Sequence, residues 1–269
     1  MSQIHKTAVI EDGAQILKDV VIGPNCFIGT GASIGEGSVL EANVVICKDV
    51  KIGKHNHFFS NCVIGGFPQI LNLGPETKIG SLEIGDNNVI REQATIHPSM
   101  HYDGATKIGS NNLIMIGAHI GHDCILENKI VISNYSQISG HCKIETGVWL
   151  SGVVLLHQFV TIGRWCYAAG MAGINKDVPP FLIVSGHYPP TIRGVNKRGL
   201  VRAGLSEEQQ KAIFDAYKRL YRDDKTPFLK KAKEMAAEDG HDHNVRDMLT
   251  AIINSNEHRF GRYLETFRH

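Results

Sequence analysis

An aliphatic residue recurs at every sixth position through most of the first 175 residues. The run passes through Ile10, Ile16, Ile22, Ile28, Ile34, Leu40, Ile46, Ile52, Phe58 and Ile64, breaks once, and resumes at Ile84, Ile90 and Ile96. It then holds from Ile108 to Ile174 with only Ala168 departing from a large aliphatic. An amphipathic helix repeats at 3.6 residues and a strand at two, so a period of six implies a hexapeptide solenoid. Each coil is a three-sided prism that takes one hexad per face, so one circuit uses eighteen residues. The aliphatic of each hexad points inward and is covered by the residue eighteen positions later. Backbone groups pair with the coils above and below at a spacing of about 4.8 Å. A single coil has no core of its own, so stability comes from stacking and each end needs a cap.

Small residues two positions before the aliphatics, Ala8, Ala14, Cys26, Ala32, Cys62, Cys124, Cys142 and Cys166, form a second inward column. Five of the six cysteines occupy this slot, where a free thiol packs as a small hydrophobe. No C-x-x-C pair argues for zinc or a redox motif. A net charge of +1 with 20% charged residues is unlike the basic excess of a dedicated nucleic-acid binder. No apolar run approaches the roughly 20 residues that span a bilayer, and Met1 to Lys6 show no signal-peptide core, so a cytoplasmic protein without a transmembrane segment is expected.

Twenty residues separate Ile64 from Ile84, and Gly65-Gly66-Phe67-Pro68 and Gly74-Pro75 lie between them. An inserted loop near 66–82 is expected, thrust out of a rigid scaffold where binding contacts are commonly placed. The stretch from Pro98 to Ala105 lies within two hexads and either keeps phase or bulges. The register ends after Ile174, so residues 1–180 read as the β-helix and 181–269 as a C-terminal helical domain, with the boundary at Asp177-Val178-Pro179-Pro180. Ser206 with Gln209 has capping-box spacing ahead of Ile213, Phe214, Tyr217, Leu220 and Tyr221. A second helix starts at Thr226-Pro227 and ends by Gly240, and a third carries Val245, Leu249, Ile252 and Ile253.

Of the fourteen histidines, four converge when the eighteen-residue coil is applied. His122, Gly140 and Gln158 stack in one column across three coils, with His141 one position after it, His157 one before it, and His119 on the same coil as His122. His5, His55, His57, His101, His187, His241, His243, His258 and His269 read as solvated or corner residues. A clustered patch of imidazoles can serve acid–base chemistry, a metal site or a structural ladder.

Ala118-His119-Ile120-Gly121-His122-Asp123-Cys124 resembles the A-H-I-x-H-D-C signature of the UDP-N-acetylglucosamine O-acyltransferases, which begin lipid A synthesis. Thr95-Ile96-His97, Ser139-Gly140-His141, His157-Gln158-Phe159, Lys176 to Pro180 and Gly194-Val195-Asn196 follow in that family's order. The resemblance implies a left-handed parallel β-helix, a homotrimer with sites between subunits, and no cofactor or metal. It implies acyl transfer from acyl carrier protein to the 3-hydroxyl of a UDP-sugar, with His122 as general base, Asp123 as its acidic neighbour and the Gly140 N–H meeting the developing oxyanion. His97, His119, His141, His157, Gln158 and the loop residue Gln69 would contact substrate. Gly170 matches the position that sets acyl length, implying a long-chain 3-hydroxyacyl donor, and Asn196 and Arg202 match residues near the nucleotide phosphates. The acidic carrier protein would dock on a basic surface around Arg193, Lys197, Arg198, Arg202, Lys218, Arg219 and Arg222.

Departures from the family pattern concentrate at the acceptor. The family loop reads Q-D-L-K, whereas here Gln69-Ile70-Leu71-Asn72 has lost both charges, and Arg198 and Ala203 replace an acid and a second arginine. Two acceptors therefore stay open: UDP-N-acetylglucosamine, or a 3-amino variant giving an amide. A zinc enzyme like the γ-carbonic anhydrases is the alternative from another class. His119 and His122 are three apart, but that family's glycine-cysteine context is missing. A related N-acyltransferase normally carries an extra N-terminal domain, whereas here the repeat begins by Ile10, and a non-catalytic scaffold is the third alternative.

Overall fold

The computed structural model describes residues 2–74, 76–222, 226–258 and 260–267; Met1, Pro75 of the inserted stretch and His269 lie outside the described residues. The chain is mainly β, a left-handed parallel solenoid of about ten turns with a small C-terminal helical part. This hand is an exception to the usual right-handed crossover. Short strands, most of two residues, build three sheets of eleven, nine and eight strands, each joining every third strand in sequence along the solenoid, the largest gaining two further strands at its C-terminal end. Partners differ by eighteen, as in Ile120 with Ile138 and Gln137 with Leu155. The inward aliphatics from Ile22 to Ile174 are at most 5% exposed, which confirms the six-residue register as the core. All six cysteines are free, and Cys26, Cys124 and Cys142 donate to the carbonyls of Glu41, Ser139 and His157 on the next coil.

The corners of the prism are made by residues in the left-handed region. Three positions after most of the aliphatics the backbone turns with positive φ, in the early coils chiefly at Gly or at Asp19, Asn25, Asn43, Asp49, Asn61, Asn87 and Asn111. Asn and Asp tolerate this left-handed region, which costs other residues about 1–2 kcal/mol. In the later coils the same hexad position holds Asp123, Tyr135, His141, Val153, Phe159, Trp165 and Met171.

Both irregular stretches leave the prism. Ile52 pairs with Ile84 across the first insertion, so the aliphatic column closes above a loop running from Gly65 to Gly80. Ile84 pairs with Ile108, twenty-four residues on, so the 98–105 stretch bulges by one hexad while the inward phase survives. Within it, the His101 N–H donates to Ser99 Oγ and the Gly104 N–H donates to the His101 carbonyl, so the bulge is a tight turn.

Stacking continues past residue 180 through Leu182–Ser185, which pairs with Tyr167–Ala168 and then antiparallel with Thr191–Val195. This hairpin and four helices close the prism: α1 (Lys197–Arg202), α2 (Glu207–Tyr221), α3 (Phe228–Ala236) and α4 (His243–Glu257). Both halves of the Ser206–Gln209 capping box form at α2. Pro227 is the residue before α3 rather than its first, and α3 ends at Ala236, with Gly240 in the following turn at positive φ. The sequence did not signal α1, which is only one and a half turns long and depends on the Asn196 cap. Buried Ile213, Tyr217, Leu220, Met235, Leu249 and Ile252 join the solenoid core, and Arg164 bonds Asn244 and Asp247 of α4. No helix among the described residues is long and apolar enough to cross a membrane.

Candidate active site

The column counted from sequence forms one corner of the prism. His141 N–H donates to the His122 carbonyl at 2.9 Å, and Phe159 N–H donates to the Gly140 carbonyl at 3.2 Å, so adjacent coils are joined at the site itself. His122 is 9% exposed. Its Nδ1 lies 2.7 Å from Asp123 Oδ2. A carboxylate oxygen accepts, so Nδ1 carries the proton and Nε2 presents a lone pair.

That lone pair faces Gly140. A Cβ built there would lie 2.5 Å from both Cε1 and Nε2 of His122, so only glycine fits opposite this imidazole. Among the described residues no acceptor is paired with the Gly140 N–H. A base and a backbone donor therefore adjoin each other, the combination that attack on a carbonyl requires.

Asp123 is held from three sides. Ser99 Oγ donates to Oδ1 in a short hydrogen bond, Met100 N–H donates to Oδ2 at 3.2 Å, and Thr106 Oγ1 accepts from Asp123 N–H at 2.7 Å. Burial disfavours the charge, but the hydrogen bonds from His122, Ser99 and Met100, with His141 nearby, hold the carboxyl below its usual range. It is therefore an anion that can stabilise an imidazolium.

His97 Nδ1 lies 2.8 Å from the Gly66 carbonyl and 2.9 Å from that of Phe67, so it donates to the inserted loop and pins the loop to the prism. Among the described residues its buried Nε2 has no partner, and it remains an acceptor within the site. His119 bonds Thr95 Oγ1 at 2.9 Å and lies 5.1 Å from the His97 ring. Burial lowers the pKa of His97 and, with His97 and His122 nearby, pushes His119 down to about 4.

The His119 shift has a sign for stability. Unfolded histidine titrates near 6.5, so between about pH 6.5 and 4 the unfolded chain binds protons that folded His119 refuses. Its contribution is complete above the unfolded value and is lost as pH falls toward 4. Urea midpoints should therefore fall less steeply over that interval in His119→Gln than in the native protein; parallel slopes would show that His119 is not desolvated.

Two adjoining cavities collect most of the residues named from sequence. A smaller one of about 150 Å³ is lined by Gln69, His97, His119, His122, Gly140 and Gln158 among others. A larger one of about 550 Å³ is lined by His122, His141, Gln158, Phe159, Gln69 and Leu71, with Ile70, Met100, His101 and Phe267 completing it. Five of the site residues named from sequence lie outside both cavities, Asp123 among them at its place beside His122. His157 is exposed, with Nδ1 on the Gln158 carbonyl; Gly170 is exposed beside Met171. Asn196 is buried, and its amide is spent on α1, accepting from Gly199 N–H and donating to the Trp165 carbonyl. Arg202 lies against Trp149 and Trp165, its guanidinium carbon 5.2 and 5.7 Å from their rings.

His101 is corrected from a merely solvated residue to one at the rim of the site, its ring 5.9 Å from that of His141. Ser99, Met100, Thr106 and Phe267 were also not foreseen. Phe159 was quoted only as part of a motif. It stacks on His141 at 4.5 Å and 5°, and its spacing of eighteen from His141 could have placed it.

Residues 177–260 match the family described as UDP-N-acetylglucosamine O-acyltransferase, domain 2, and residues 1–35 match bacterial transferase hexapeptide repeats. A Francisella novicida UDP-N-acetylglucosamine acyltransferase structure is 37% identical, with 93% of this chain and 91% of that one covered at a TM-score of 0.85. The Bacteroides fragilis UDP-N-acetylglucosamine acyltransferase is 32% identical, covering 94% and 97% at 0.86. Its Campylobacter jejuni counterpart is 34% identical, covering 93% and 96% at 0.86.

Proposed function

Because this chain belongs to the UDP-N-acetylglucosamine O-acyltransferase family, we propose that it moves an acyl group from acyl carrier protein to the 3-position of UDP-N-acetylglucosamine, the first step of lipid A synthesis. His122 Nε2 removes the proton of the acceptor hydroxyl as its oxygen attacks the thioester carbonyl carbon. The carbonyl oxygen gains negative charge and is met by the Gly140 N–H. Collapse breaks the carbon–sulfur bond, and the imidazolium returns its proton to the departing thiolate. Asp123 stabilises the imidazolium between these two transfers. The observation that carries this reading is the 2.7 Å His122–Asp123 pair with its opposite nitrogen against Gly140.

The neutral acceptors around the smaller cavity suit a sugar and its N-acetyl group: Gln69, Gln158, His119 and the unpartnered His97 Nε2. A Cβ at Gly170 would meet Gly152 O at 3.5 Å, an ordinary contact, so glycine there keeps a groove open for a long 3-hydroxyacyl chain rather than relieving a backbone clash. Arg202, steadied by two tryptophans, would meet the nucleotide phosphates, and Asn196 would act indirectly by capping the helix that carries it. Trimer assembly, with sites between subunits, is supported by an exposed apolar column at another corner, Tyr135, Val153 and Met171. In the basic docking surface for the carrier protein, Arg219 is already engaged twice by Glu238, so Lys197, Arg198 and Arg222 are left to supply the attraction.

A second acceptor is favoured by one observation. Ile70 and Leu71 bring no charge to the larger cavity, where a family member of the Q-D-L-K type would have an acid. A 3-amino analogue of the UDP-sugar, acylated to an amide, fits that neutral wall. Purified protein should be given acyl carrier protein thioesters of several lengths with each sugar, and product masses read. An ester or amide product with a long 3-hydroxyacyl chain is expected; no product from either sugar would overturn the reading.

A further inference from the structure

His101, Asp123 and His141 each offer one ligand atom, all three atoms lying within 4.8 Å of one another, and they are the single such trio among the described residues. His141 Nε2 is 3.8 Å from Asp123 Oδ2. From these groups we infer a site for a zinc-like divalent cation that inhibits the enzyme by taking Asp123 away from His122.

The donor chemistry selects the ion. Two imidazoles and one carboxylate suit zinc or its first-row neighbours, whereas magnesium and calcium prefer oxygen donors throughout. Three protein ligands with an open fourth position are the arrangement of an exchangeable zinc, and the larger cavity bordering His101 and His141 leaves that position to water. Zinc–nitrogen distances near 2.0–2.1 Å require the donors to close by about 1 Å. His101 can supply the movement by side-chain torsion alone, since its backbone is fixed by Ser99 and Gly104 while its ring is exposed. The other two ligands are already oriented. Ser99 and Met100 hold the Asp123 carboxylate, and Phe159 stacks under the His141 ring. Such outer partners fix ligand geometry at metal sites.

The location makes the ion inhibitory. Oδ2 of Asp123 is the oxygen that accepts from His122 Nδ1, and the His122 and His141 rings are 4.9 Å apart. A dication bound there would weaken the Asp123 hydrogen bond and oppose protonation of His122, the event that general-base catalysis requires. The binding claim rests on geometry alone; the inhibitory claim rests also on the function proposed above.

The test uses the full-length protein, stripped with chelator, dialysed, and titrated with zinc chloride against a chromophoric chelator. Uptake of one zinc per chain is expected, together with loss of acyl transfer in proportion to occupancy. His101→Ala removes an exposed ring without disturbing the core, and should weaken zinc binding by more than the about 10–100-fold typical of losing an outer-shell partner. Its half-inhibitory zinc concentration, referred to its own metal-free rate, should rise by the same factor. Uptake unchanged by His101→Ala, or no stoichiometric uptake by the native protein, would overturn the site. Absence of acyl transfer in metal-free buffer, with uptake still dependent on His101, would overturn the function and leave the site standing.

Discussion

His122→Ala is expected to fold normally and to lose turnover by about 10²–10⁴-fold, the usual contribution of a positioned general base. The loss should fall on kcat, because the imidazole acts on a proton in flight rather than on the resting substrate. Truncation leaves Asp123 without the donor 2.7 Å away, but Ser99 and Met100 continue to satisfy the carboxylate. The fold should therefore survive with a thermal midpoint close to the native one. Single-turnover rates with product masses, beside a melting curve, check both halves. Near-native turnover in a folded His122→Ala protein would place the base elsewhere.

Gly140→Ala should be nearly as damaging through a different cause. The new methyl would lie 2.5 Å from the His122 ring, well inside any real contact distance. Relief by moving the imidazole breaks its pairing with Asp123, and relief by moving the backbone shifts the N–H aimed at the oxyanion. Removing one oxyanion donor elsewhere costs about 10²–10³-fold in kcat, and a comparable fall is expected. The two substitutions act on one unit, so the double variant should be little worse than His122→Ala alone. Full additivity would mean that Gly140 acts apart from His122.

The period of six specified the solenoid because every hexad buries one aliphatic and every coil repeats its own pairing. For the same reason His122, Gly140 and Gln158 could be assembled by counting eighteens. Counting failed where the chain leaves the prism. Ser99, Met100 and His101 stand beside Asp123 only because the bulge absorbs one extra hexad, which the inward phase conceals. Phe267 reaches the larger cavity from the far C-terminus, where no repeat connects it to the coils. Asn196 shows the opposite failure, since its motif was legible but its amide proved to be spent on a helix cap. One signal was present and unused: His141, Val153, Phe159 and Met171 occupy left-handed corners that the early coils give mostly to Asn, Asp or Gly. Strain of that kind is retained where the surroundings or the function demand it.

The corner-to-corner bonds from His141 to His122 and from Phe159 to Gly140 make the reaction centre a property of chain length. Removing or duplicating a whole circuit ahead of Ile108 would leave the later circuits, and most of the centre, in phase. A single-residue deletion between His122 and Gly140 would rotate the glycine off its corner while altering almost none of the protein's composition. Across divergent descendants of such a chain, the spacing between base and glycine should drift less than the identities of the residues around them.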